Sequence, residues 1–89
     1  MDIRLSADAV VSADRNSLVF NAYVRERSVQ CFIARDALEL YFWAPTGASD
    51  AQLLKSYVNG RKRIEAIVGR KFLRTPGEAI GLGLADFAR

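Results

Sequence analysis

Two runs of strict alternation constrain this chain more than any other feature. Leu18, Phe20, Ala22 and Val24 fall on every second position, and so do Val29, Cys31 and Ile33. A period of two places successive side chains on opposite faces of a strand, so both runs predict strands over 18–24 and 28–34. The short polar stretch Arg25-Glu26-Arg27 between them predicts a hairpin. Parity then sets the register. With Ala22 opposite Val29, Phe20 meets Cys31 and Leu18 meets Ile33, and the apolar set lies on one side. A slip of one residue would set it against Ser28, Gln30 and Phe32. Arg-Glu lacks the Asn-Gly chemistry of a tight two-residue turn, so a four-residue loop from Val24 to Arg27 is expected.

The pattern changes after Ala34. Asp36 reads as a helix cap, and Leu38, Tyr41 and Phe42 share one face at i, i+3, i+4. Pro45 predicts a stop near Trp43-Ala44. Ser49-Asp50-Ala51-Gln52 has the spacing of a capping box, with Asp50 at the positive end of the helix dipole. From there Leu53, Leu54, Tyr57, Ile64, Val68 and Phe72 form one stripe. It keeps phase across Gly60, so a single helix to about Phe72 is expected, ended by Thr75-Pro76-Gly77. Ile80, Leu82 and Leu84 alternate with Gly81 and Gly83, predicting a last strand from Ala79 to Asp86. Ile3 and Leu5 suggest a short strand near the N-terminus. The whole chain, residues 1–89, reads as one domain. The expectation is a two-layer α+β fold: a β-hairpin, two helices and a C-terminal strand (ββααβ), with an antiparallel sheet and an extra short N-terminal strand.

The segments from Val19-Phe20 through Val24, Val29, Cys31, Ile33, Ala37-Leu38-Glu39 and Phe42, together with Asn59-x-Arg61 and Ile64-Glu65, resemble the bacterial family known as domain of unknown function 1488. The resemblance covers roughly residues 17–68. It departs from the family pattern at Arg25-Glu26, where the family has a turn glycine, and at Arg35-Asp36, where it has a capping serine. It implies a small bacterial cytoplasmic α+β domain and carries no activity with it.

Composition narrows the chemistry. The chain contains no histidine and one cysteine, Cys31. Histidine-based triads, the usual metal sets and an intrachain disulfide are thereby excluded. Cys31 lies on the inward face and reads as a packing residue. No catalytic, metal or cofactor site is expected. Neither a signal peptide nor a membrane span is expected, which points to the cytoplasm.

Charge is unevenly distributed. Residues 55–74 hold seven basic side chains against Glu65 alone, a net of +6, while the remainder carries −3. Arg63, Arg70 and Arg74 stack on one side of the helix, flanked by Lys55 and Lys62, and such a row can track phosphates. Val19, Tyr23 and Phe32 share the second face of the hairpin, where they suit a dimer interface better than base stacking. The first reading is a non-enzymatic interaction or binding module that pairs as a homodimer through that face. The alternative is a nucleic-acid-binding accessory or regulatory protein using the basic helix.

Overall fold

The computed structural model describes residues 3–6, 8–24, 26–74 and 79–87. The hairpin forms in the register that parity requires. Strands β3 (Ser17–Val24) and β4 (Arg27–Ala34) pair antiparallel, with Leu18 opposite Ile33, Phe20 opposite Cys31 and Ala22 opposite Val29. Pairing extends to Val24 opposite Arg27, so the connection is shorter than the expected four-residue loop. Strand β1 (Ile3–Leu5) lies antiparallel along β3, as does β2 (Val10–Val11), which the sequence reading missed.

Helix α1 (Arg35–Tyr41) follows β4 without a break. The cap position belongs to Ala34, which makes no side-chain cap bond, so Asp36 is a first-turn residue and not the cap. The backbone N–H of Arg35 instead donates to the Asn16 carbonyl at 2.8 Å. The Arg35 guanidinium donates to the Ala48 carbonyl, the Arg15 carbonyl and Glu39 of its own helix, tying two connections to the start of α1. Helix α2 (Asp50–Asn59) opens on the expected capping box, Ser49 with Gln52.

The long helix divides. Gly60 separates α2 from α3 (Arg61–Arg74). A Cβ at Gly60 would overlap the ring of Phe42, so the glycine admits that ring at the junction. The stripe survives the division: Leu53, Tyr57, Ile64 and Val68 are buried on both sides of it. Residues 75–77, expected to end the helix, lie outside the described residues.

The last segment differs most from expectation. Strand β5 is only Ile80–Leu82, and it pairs parallel to β4, so the sheet is mixed and not wholly antiparallel. The run then turns into a short helix, α4 (Leu84–Phe87), as Gly83 N–H donates to the Asp86 carboxylate at 2.7 Å. The sheet order is β1-β3-β4-β5, with β2 on the β1 flank. Leu18, Phe20, Cys31, Ile33, Ile80 and Leu82 from the sheet enclose the core with Leu38, Tyr57, Ile64 and Val68 from the helices. The fold is a mixed α+β one, roughly ββααβ with the second helix divided into α2 and α3, preceded by N-terminal strands and ended by a small helix.

Candidate functional site

The sheet face turned away from the helices is organised in rows. Val10 pairs with Val19, Val19 with Phe32 and Phe32 with Gly81, so one apolar row crosses four strands. Its members remain open to solvent: Val10 is 58% exposed and Phe32 43%. A Cβ on Gly81 would meet the Phe32 ring at 2.6 Å, so the ring lies directly against the glycine backbone. The next row is Asn21 opposite Gln30, and the one beyond is Arg4, Tyr23 and Ser28. Tyr23 is 45% exposed. Between Val19 and Tyr23 on β3, and between Ser28 and Phe32 on β4, the outward residues carry no charge. The structure thus brings Val19 and Phe32 together as expected, sets Tyr23 two rows away, and adds Val10 and Gly81.

A second region lies where α1 ends against the start of α3. Phe42 is buried, edge-on to Phe87 with centroids 5.2 Å apart. Arg63 caps it from outside, its guanidinium carbon 4.9 Å from the Phe42 centroid. The same guanidinium donates to the Tyr41 carbonyl at 3.1 Å, an acceptor left free by the end of α1. Trp43 comes next, and it is 87% exposed. Its φ of 60° is left-handed, a conformation that costs a bulky L-residue about 1–2 kcal/mol. The turn is fixed on both sides, because Phe42 and Ala44 are buried and both donate to the Leu38 carbonyl at 3.1 Å. A half-open groove of about 180 Å³ results, lined by Phe42, Trp43, Asn59, Gly60, Lys62 and Arg63 among others. None of its lining residues is acidic.

The five predicted basic residues do not form one cluster. Lys62 and Arg63 line this groove. Arg70 is exposed further along α3, and Lys55 is exposed on α2. Arg74 lies ~16 Å from Arg63 at a rise of ~1.5 Å per residue, in a second depression beside β5 with Lys71 and Gly81. Among the described residues no carboxylate pairs with Lys55, Lys62, Arg63, Arg70 or Arg74. Lys71 differs, bonding the Gly81 carbonyl at 2.6 Å and Asp86 at 2.8 Å.

Trp43 is not singled out by periodicity or charge in the sequence. The available signal was its position: it falls off the Leu38, Tyr41, Phe42 stripe, immediately before a turn set by Pro45.

Cys31, Tyr57 and Asp14 have structural explanations. Cys31 is buried, and desolvation pushes its thiol up to about 11, which holds it in the poorly nucleophilic protonated form. Tyr57 donates to the Ser6 carbonyl at 2.7 Å, and burial pushes its hydroxyl up to about 12. Asp14 is held below its ordinary value chiefly by the Ser12 hydroxyl. Among the described residues no three His, Cys, Asp or Glu side chains are grouped to hold a metal, and no helix is long and apolar enough to cross a membrane.

A family model described as Protein of unknown function (DUF1488) matches residues 5–82, from β1 through β5. The chain belongs to that family. No curated protein and no solved structure matches it.

Proposed function

We propose that this protein is a non-enzymatic interaction module that pairs with a second copy of itself through the helix-free face of its sheet. The observation that carries this reading is the apolar row Val10, Val19, Phe32 and Gly81 on an otherwise uncharged central surface. An identical copy suits this face for two reasons. The two central rows, Val10 with Val19, Phe32 and Gly81, and Asn21 with Gln30, carry no charge and meet themselves without like-charge repulsion, with Arg4 set in the row beyond, although the chain carries +3 overall. The amides of Asn21 and Gln30 each offer a donor and an acceptor, so they can complement themselves across a two-fold axis.

Size sets the strength. The eight-residue strands β3 and β4 make the face ~26 Å long at ~3.3 Å per residue, and four strands make it up to ~19 Å wide. That is an area on the order of 500 Å², below the roughly 800 Å² per partner of standard stable complexes. The pair should therefore be reversible and concentration-dependent.

Light scattering coupled to size exclusion tests this. The mass should rise from 9.9 kDa toward twice that value between low micromolar and millimolar protein. Phe32→Arg and Gln30→Lys should each hold the chain as a monomer with an unchanged far-UV spectrum. Gln30 is included because Phe32 also packs on Gly81. A wild-type chain that stays monomeric at millimolar concentration, or variants that pair as well as wild type, would refute the proposal.

A further inference from the structure

The groove at the α1–α3 corner combines three features that ordinary folding does not require together. Its tryptophan is displayed almost completely to solvent, on backbone held left-handed between two buried residues. Its cations, Lys62 and Arg63, have no carboxylate partner among the described residues. Arg63 is also preorganised: it stacks on Phe42 and uses one N–H on the Tyr41 carbonyl, leaving most of its five donors available.

We infer that this groove binds single-stranded nucleic acid, with a base stacked on Trp43 and the adjoining phosphates held by Lys62 and Arg63. Each part of the ligand has its counterpart. An exposed indole on a fixed backbone turn is a stacking platform for any base, and cations beside it draw the backbone alongside. Arg70 and Arg74, ~10 and ~16 Å beyond Arg63 at ~1.5 Å per residue, extend the cationic track along α3. An acidic peptide would engage the cations but leave the indole without a flat partner. A duplex keeps its bases stacked on each other, with no free face to offer Trp43. The inference does not depend on pairing through the sheet, because the groove belongs to the helical layer.

Trp43 is the sole tryptophan, so its fluorescence reports the site directly. A short oligothymidylate at low salt should quench it. The apparent affinity should fall with salt at a log–log slope of about −1.4 for the two phosphates on Lys62 and Arg63, and more steeply for an oligonucleotide long enough to reach Arg70 and Arg74. With a labelled oligothymidylate followed by anisotropy, Trp43→Ala should weaken binding about tenfold or more. Lys62→Glu should also weaken it about tenfold, and Trp43→Phe should keep part of the affinity. Circular dichroism establishes that each variant is folded. Three results would each overturn the inference: no quenching at low salt, equal quenching by polyglutamate, or an affinity that Trp43→Ala leaves unchanged.

Discussion

Cys31 and Tyr57 show how burial converts single side chains into a pH dependence of the whole fold. Both are acids whose charged forms the core disfavours. The Cys31 thiol rises from 9.0 to about 11 and the Tyr57 hydroxyl from 10.0 to about 12. Above pH 9 the unfolded chain begins to lose a proton that the folded chain keeps. The unfolded state then binds fewer protons, so stability must fall as pH rises. The stability present below pH 9 is lost through the windows 9–11 for Cys31 and 10–12 for Tyr57, each group contributing a slope of up to about 1.4 kcal/mol per pH unit. Urea unfolding at pH 8 and pH 10.5 should show this loss. Cys31→Ala should be less stable at pH 8 yet lose less between the two values. An equal loss in the variant would mean that Cys31 does not titrate on unfolding.

At the scale of elements, the junction at Gly60 decides where the helical layer bends. The Phe42 ring occupies the space that any Cβ there would need. Phe42 cannot retreat easily, being packed on Phe87 from within and on Arg63 from without. Gly60→Ala would ordinarily favour a helix by about 1 kcal/mol. Here it should destabilise by about 1–3 kcal/mol through overpacking, seen as a lower midpoint in urea. A stabilised variant would show that the ring has somewhere else to go.

These same elements show what alternation and periodicity can convey. The hairpin register was legible because parity alone separates Leu18, Phe20 and Ala22 from their outward neighbours. The capping box at Ser49 was legible because it is local. The break at Gly60 was hidden, since the apolar stripe keeps phase through it and the Phe42 contact is tertiary. The direction of β5 was equally hidden, because Ile80 and Leu82 would alternate in either direction. Leu84 extended the alternation past the strand's end, where the Asp86 cap turns the chain into α4. The two residues of β2 are too few to carry a pattern. Of the candidate sites, the charged and hairpin residues were legible as types in series, but Trp43 gained its meaning only from a neighbour twenty residues away, Arg63.

On the scale of the molecule, the two layers present surfaces of opposite chemistry. The outer sheet is apolar and amide-bearing, whereas the α1–α3 corner is aromatic and cationic. Their associations should therefore respond differently to ionic strength. Raising salt should leave self-association unchanged or slightly stronger, since burial of apolar surface is not screened, while oligothymidylate binding declines. Phe32→Arg should abolish pairing and spare oligothymidylate binding, and Trp43→Ala should do the reverse. Sedimentation velocity with labelled oligonucleotide reads both in one experiment. Loss of both associations in either variant would show that they share one surface.

The contact of Lys71 with the Gly81 carbonyl bears on how large any assembly of this protein can become. An uncovered strand at a sheet's border invites another chain to add on, and repetition of that step yields fibres. Here β5 is three residues long and a lysine occupies one of its acceptors. The opposite border is divided between β1 and β2, three and two residues long. Short border strands and a lysine on one border carbonyl make edge-to-edge addition unfavourable, so broadside stacking is the expected mode of association.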